Sequence, residues 1–216
     1  MRINSIFPAI QGEGNRIGTP EVFVRFQGCS VRCKWCDTPE ALKFDEGKEK
    51  TVGEILSEIR KFKIKNANLT GGEPLDQDPK ELLELIKALK NKDFFVTLET
   101  SGQKFNQKIM SCVDFISADI KPPSSGIRPN FKVLEKINKF KEKQFKIVVA
   151  SNADFAFAKR VSKTFSNVVV TPLWSMNAVF NKKLVQNLVF KVIDLHADLR
   201  IIVQQHKLIF GHKKGV

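Results

Sequence analysis

Cys29, Cys33 and Cys36 stand in the run G-C-S-V-R-C-K-W-C-D-T, with the spacing C-x3-C-x2-C. Three closely spaced thiolates suit an iron–sulfur cluster. A cubane cluster takes four ligands, so three cysteines leave one iron without a protein ligand, open to a substrate or cofactor. That arrangement points to catalysis more than to electron storage. A structural zinc would want a fourth Cys or His. The remaining cysteine, Cys112, lies far off in the run M-S-C-V-D-F and reads as a small buried apolar residue. The histidines, His196, His206 and His212, are all near the C-terminal end. A disulfide framework would want an even count in a secreted chain. The opening M-R-I-N-S-I-F-P lacks the apolar stretch of a signal peptide. Reduced cysteines and an oxygen-sensitive cluster suit the cytosol.

A second motif, Gly71-Gly72-Glu73-Pro74, combines two residues without a β-carbon, a carboxylate and a stiff exit. Such a turn lets backbone approach a ligand and could hold an ammonium group. On its own it is a weak signal, because Gly-Pro turns are common. Behind a three-cysteine loop it becomes specific.

The elements that must position these residues alternate. Strands are expected over 21–26, 67–70, 94–98, 113–118, 145–149, 168–170 and 200–203. Helices are expected over 51–62, from 78 onward, and over 104–110, 131–140, 153–165 and 178–193. Thr51 and Glu54 form a capping box, and Asp78-Pro79 is a cap followed by a first-turn proline. Leu82, Leu85, Ile86 and Leu89 share the inward face of the second helix. Phe131, Leu134, Ile137 and Phe140 line one side of another. Near-continuous apolar strands alternating with helices predict a parallel sheet with helices outside. Six or seven units are too few for a closed eight-stranded barrel. The expectation is an α/β open partial barrel of about six parallel strands, as one domain over 1–216. The cysteines, G-G-E-P, E-T-S-G, D-I-K-P-P and T-P-L-W all follow strands. In a parallel α/β fold, ligands bind at the carboxyl ends of strands, so these motifs make one site.

Composition narrows the classes. The 216 residues are 42% apolar, ordinary for a globular domain, and no apolar run is long enough to span a bilayer. There are 36 Lys and Arg against 23 Asp and Glu, a net charge of +13. That invites a nucleic-acid reading. The lysines are spread over the polar faces and ends of predicted helices, without an arginine-rich stripe or an RNA-binding signature, so solvated faces are the better account. The charge also suits a general attraction for anionic substrates.

With these motifs in place, the chain resembles the radical S-adenosylmethionine enzymes. That resemblance implies a 4Fe-4S cluster on Cys29, Cys33 and Cys36, whose free iron chelates S-adenosylmethionine. One electron then yields a 5′-deoxyadenosyl radical that abstracts a substrate hydrogen. F-P-A-I-Q-G-E-G, F-V-R-F-Q-G-C, C-K-W-C-D-T, T-G-G-E-P, E-T-S-G, D-I-K-P-P-S-S-G and Q-Q-H-K together resemble the 7-carboxy-7-deazaguanine synthase family over almost the whole chain. The resemblance implies ring contraction of 6-carboxy-5,6,7,8-tetrahydropterin with loss of ammonia, assisted by Mg²⁺, in queuosine and 7-deazapurine biosynthesis. It also implies a cytoplasmic homodimer fed by an electron donor such as flavodoxin or ferredoxin.

By position in that family, Ile10, Gln11, Gly12 and Glu13 line the pterin. Arg25 pairs with its carboxylate, a bond suited to a guanidinium fork. Thr70 and His206 touch the substrate, and Thr38 holds Mg²⁺. Gly72, Glu73, Ser101, Ser117, Ala118, Asp119, Thr171, Pro172, Leu173 and Trp174 fall where the family contacts S-adenosylmethionine. Ser117-Ala118-Asp119 stands where some members carry S-P-K. The tail over 210–216 is expected to add a terminal contact. The enzyme alternative is an activating enzyme for a glycyl-radical protein. Q-G-E-G with Arg25 argues instead for a small carboxylated substrate. An electron carrier would show four ligands and no G-G-E-P, and an RNA binder a salt-dependent affinity.

Overall fold

The computed structural model describes every residue except Met176, His212, Lys214 and Val216, and of Ala178 and Phe180 only the backbone. The expected tail contact and His212 therefore lie partly or wholly outside the described residues. The strands are β1 (Arg2–Ile10), β2 (Pro20–Phe26), β3 (Lys48–Glu49), β4 (Asn66–Gly71), β5 (Phe95–Thr100), β6 (Phe115–Asp119), β7 (Lys143–Val149), β8 (Val168–Pro172) and β9 (Arg200–Ile201). The helices are α1 (Val52–Arg60), α2 (Pro79–Lys90), α3 (Gln107–Met110), α4 (Phe131–Asn138), α5 (Asn152–Val161), α6 (Ala178–Asp194) and α7 (Gln205–Phe210). One sheet runs in the order β3-β1-β2-β4-β5-β6-β7-β8-β9. From β2 to β9 every pairing is parallel, giving seven parallel strands rather than about six. β1 joins β2 antiparallel, and β3 joins β1 antiparallel. The sequence pattern showed neither, because β1 mixes polar and apolar residues around Pro8 and β3 is two residues long.

The expectation of near-continuous apolar strands is corrected by the structure. The strands alternate, as a period of two requires. Val22, Val24, Phe26, Leu69, Val96, Leu98, Ile116, Phe145, Ile147 and Val149 are buried in the hydrophobic core. So are Ile55 and Ile59 of α1 and Leu82, Leu85, Ile86 and Leu89 of α2. The intervening positions Glu21, Asn68, Thr70, Thr97, Ser117, Gln144 and Thr171 are polar and equally buried. They form the inner face of a curled sheet. The curl is visible in the segment after β1, which reaches strands several places away. Asn15 N donates to Gln144 Oε1 of β7 at 2.6 Å, and Arg200 Nη1 of β9 donates to Asn15 Oδ1 at 2.6 Å.

Local signals behave as their chemistry demands. Thr51 and Glu54 make both bonds of the capping box. Asp78 caps α2 through Lys80 N and Glu81 N. The helix expected over 104–110 shortens to α3, because Asn106 accepts from Ile109 N and caps it late. Phe131 is 41% exposed instead of inward, and its ring stacks on Phe165 at 6.1 Å. α7 was not expected.

The core prediction follows from α2. Leu85 is fully buried between α2 and the sheet. Leu85→Ala should lower unfolding stability by about 2–5 kcal/mol in a denaturant titration; a loss below ~1 kcal/mol would mean that α2 is not part of the cooperative core.

Candidate active site

The cysteine loop leaves the carboxyl end of β2 and is held at both sides. Gly28 N donates to Ala41 O at 2.9 Å and Cys29 N to Leu42 O at 3.1 Å. Lys34 N donates to Ser125 O at 2.9 Å, and Trp35 Nε1 to Ser124 Oγ at 3.0 Å. The D-I-K-P-P-S-S-G segment therefore forms one wall of the loop. All three thiols are free; Cys29 is buried and Cys33 and Cys36 half-buried. Burial pushes the Cys29 thiol up to about 11 and raises the other two. Among the described residues no three such groups converge on a single metal ion. A cubane does not ask for that, since each iron takes its own thiolate, and three sulfur donors on one loop suit it.

The G-G-E-P turn presses against this loop. Gly72 N donates to Phe26 O at 3.0 Å and Glu73 N to Gly28 O at 2.9 Å. A β-carbon on Gly72 would overlap the Gly28 carbonyl, so only glycine allows the approach. Glu73 is fully buried. Its carboxylate accepts from Thr100 Oγ1 at 2.8 Å, Ser101 N at 2.8 Å, Leu75 N at 3.1 Å, and Ser101 Oγ. Burial raises its pKa in spite of these donors. The Ser101 hydroxyl is thus engaged with Glu73. Thr100 was not singled out from the sequence, although it follows Glu99 in E-T-S-G.

Q-G-E-G turns out to be a latch across the open side of the barrel. Gln11 Nε2 donates to Glu99 Oε1 at 2.8 Å and Glu21 Oε2 at 3.4 Å. Gly12 faces His206, and a β-carbon there would overlap His206 Nδ1. Gly12 O accepts from Gln205 N of α7 at 2.9 Å. Glu13 pairs with Lys146 of β7 and accepts from Gln204. Gly14 adopts φ +66° against Gln144, whose Nε2 donates to Ser117 Oγ at 2.8 Å. Lys146 also lies 3.6 Å from Asp119, which pairs with Lys121 at 2.6 Å. Burial works against all four charges. Lys121 and Lys146 still draw Asp119 below its usual range, Lys146 does the same for Glu13, and Asp119 and Glu13 hold Lys146 well above 10.5.

The inner face therefore brings Gln11, Gly12, Glu13, Arg25, Thr70 and His206 together. Thr70 Oγ1 donates to Glu99 Oε2 at 3.1 Å. Arg25 Nη1 donates to Thr38 Oγ1 at 3.1 Å, and Thr38 Oγ1 lies 3.2 Å from Asp37 Oδ1. Lys207 beside His206 pairs with Asp37 at 3.3 Å. Burial lowers the pKa of His206. The buried oxygens Asn68 Oδ1, Thr97 Oγ1 and Thr171 Oγ1 have no hydrogen-bond partner among the described residues. They point to polar ligand or water on the inner face. Ile10 is exposed at the end of β1. Thr171 and Pro172 are buried at the end of β8, with Leu173 and Trp174 half-buried beyond it. The Ala118 side chain, by contrast, is buried in the core under the helices. Any ligand contact at Ala118 falls to its backbone. Glu99 and Lys121 belong to E-T-S-G and D-I-K-P-P, which the sequence places at the site only as motifs; Lys146 and Asn68 lie outside every motif, though a lysine inside the strand K-I-V-V is a usable signal.

The model of the Radical SAM superfamily matches residues 23–153. The 7-carboxy-7-deazaguanine synthase of Thermoplasma acidophilum is 30% identical over all of both chains. That of Koribacter versatilis is likewise 30% identical over all of both. The crystal structure of QueE from Escherichia coli superposes with a TM-score of 0.70 at 23% identity, covering 95% of this chain and 94% of that one.

Two predictions arise from the latch. Glu13 and Asp119 titrate below their ordinary range in the fold, so their stabilisation is complete above that range and is lost as pH falls through the folded values. Lys146 titrates above 10.5, so its share is complete below that and lost only as pH rises past the folded value. Lys146→Met should cost about 3 kcal/mol at neutral pH by weakening the pairing of two half-buried carboxylates, since Glu13 loses its ion-pair partner and Asp119 keeps only Lys121. The deficit should shrink as acid protonates them; an equal deficit at pH 4 and pH 7 in chemical denaturation would count against the latch. Gly12→Ala should displace His206 toward solvent. Its NMR titration should then rise toward 6.5, and an unmoved titration would show that the imidazole does not depend on Gly12.

Proposed function

The chain belongs to the 7-carboxy-7-deazaguanine synthase family of the radical SAM superfamily, and we propose that it converts 6-carboxy-5,6,7,8-tetrahydropterin to 7-carboxy-7-deazaguanine with loss of ammonia. It is a radical SAM enzyme that uses a 4Fe-4S cluster and S-adenosylmethionine on a small-molecule substrate in 7-deazapurine biosynthesis. The relatives carry the synthase name, so the reading as a glycyl-radical activating enzyme is not adopted.

The observation that carries the proposed residue roles is the meeting of Q-G-E-G, Arg25, Thr70 and His206 on one polar face beside the cysteine loop. Cys29, Cys33 and Cys36 would hold the cluster. Bound together, the cluster and S-adenosylmethionine supply one-electron cleavage of the sulfonium and hydrogen-atom abstraction. The protein binds, orients and excludes water. Glu73, raised in pKa inside its cage, is placed to meet an ammonium group, with Gly72 leaving the space. Ser117 and Asp119 would face the nucleoside from β6, and Thr171 to Trp174 from β8. Arg25 would take the substrate carboxylate, and Gln11 and His206 would flank the ring.

For Mg²⁺, the Thr38 hydroxyl beside the Asp37 carboxylate offers hard oxygen donors of the right kind, and substrate oxygens would complete the shell. A homodimer fits the exposed apolar side chains of Leu208, Ile209 and Phe210 on α7 and of Phe190 and Ile193 on α6. No helix among the described residues is long and apolar enough to cross a membrane. A cytoplasmic site and one domain over 1–216 complete the reading.

An anaerobic assay tests it. Reconstituted protein with the carboxytetrahydropterin, S-adenosylmethionine, Mg²⁺ and dithionite should yield 7-carboxy-7-deazaguanine by mass spectrometry. 5′-Deoxyadenosine without pterin turnover would leave the superfamily chemistry intact and reject the substrate. Arg25→Ala should lower kcat/KM by about 10²-fold or more, as expected for a lost charge-assisted pair of ~3 kcal/mol, while cluster content stays normal. Unchanged turnover would remove Arg25 from the site.

A further inference from the structure

The net charge of +13 has no part in the pocket, whose lysines are paired with carboxylates. Part of that charge sits on the outside of the cysteine loop. Arg32 and Lys34 are exposed and flank Cys33 directly in the chain. The Lys34 side chain lies against Gly126, and Arg128 is exposed two residues further on. Gln103 Nε2 donates to Arg128 O at 3.3 Å, which brings the exposed Lys104 to the same rim. Neither Lys34 nor Arg128 pairs with a carboxylate among the described residues. The nearby acid, Asp76, has a side chain only 2% exposed that pairs with Lys104 and accepts from Ser30, so it offsets Lys104 and leaves the excess charge of the rim on Arg32, Lys34 and Arg128. Asp37 faces the other way, toward Lys207. Phe44, 49% exposed, packs on Gly28 just before Cys29 and adds an apolar spot at the edge.

We propose that this rim of Arg32, Lys34, Lys104 and Arg128 around Cys33 is the docking surface for an acidic protein that donates single electrons, such as a reduced flavodoxin. The inference rests on the cluster reading of the cysteines. Cys33 is half-buried, so the backbone on either side of it is a short way from solvent to a cluster held there. A donor seated on the rim is oxidised by one electron as the cluster is reduced by one, and no bond is made or broken. Positive charge at that point steers an acidic donor and sets its on-rate. RNA fits less well. Phe44 is exposed at its edge but Trp35 is half-buried, so among the described residues the patch lacks the series of exposed rings on which successive bases stack.

The test uses Lys34→Glu/Arg128→Glu in reconstituted full-length protein, with Lys61→Glu/Lys92→Glu as a control. The control changes charge equally at the amino ends of β4 and β5, the far end of the sheet. Arg32 and Lys104 are left alone because they bond Cys29 O and Asp76. Iron and sulfide content and reduction by dithionite are measured beside stopped-flow reduction by flavodoxin hydroquinone across ionic strength. The rim variant should assemble its cluster and accept electrons from dithionite like the parent. Its second-order rate with flavodoxin should fall about tenfold or more at low salt, with a flatter salt dependence. The control should match the parent. Equal flavodoxin rates for rim variant and parent would overturn the docking surface while leaving the enzyme reading in place. Loss of RNA binding without loss of flavodoxin reduction would also overturn it, in favour of a nucleic-acid face. Protein that assembles no cluster would defeat both readings together.

Discussion

A single half-buried ammonium, that of Lys146, organises this molecule. It stands on β7, on the inner face of the sheet, and is drawn by Glu13 from the segment after β1 and by Asp119 from β6. A lysine so placed is unfavourable unless it is paired. Two carboxylates supply that pairing, and one of them is on an element from the opposite side of the sheet order. The charge therefore ties the segment after β1 to β7 across an opening that the strand ladder leaves. Glu13 accepts from Gln204 as well, so the same ion pair positions the entry to α7 and with it His206. The inner wall, the latch and the C-terminal helix are one electrostatic unit.

Glu73 does for the cysteine side what Lys146 does for the Q-G-E-G side. Its four donors come from its own turn and from the end of β5, while its backbone bonds the cysteine loop. The two glycines before it are required because the loop backbones meet with no room for a side chain. Three strand ends are thereby locked at one spacing. A ligand entering here meets a preorganised polar wall, which lowers the ordering cost of binding.

Much of this was legible in the sequence because it is local. The C-x3-C-x2-C spacing, the Thr51–Glu54 box, the Asp78-Pro79 start and the Leu82–Leu89 face depend on residues a few positions apart. The inner ladder was not legible. Glu21, Asn68, Glu99 and Lys146 are spread over four strands, and each looks like a solvent-facing position in an alternating strand. Only the curl of the sheet turns those positions inward, and the curl depends on pairings far apart in sequence. β1 was hidden for a related reason: Pro8 and the polar Asn4 and Ser5 weaken its pattern, while its partners are set by β2. Phe131 failed in the opposite sense. Its helical spacing matched Leu134, but at the first turn of α4 it finds Phe165 rather than the core.

The partition of charge follows from the same curl. Inside, lysines must be matched, and Lys121 and Lys146 share Asp119 and Glu13 with little left over. Outside, no such requirement holds, so the excess of Lys and Arg accumulates on helix ends and on the loops above the strands. Where those loops cover the cysteines, Asp76 is turned inward to Ser30 and Lys104, where it offsets that one lysine and leaves Arg32, Lys34 and Arg128 in excess. A carboxylate left exposed at that point would repel an acidic partner. Turned inward, it orders the loop and leaves the positive rim intact. The arrangement that steadies the cysteine loop from within is thus the one that makes its outer face attractive to anions.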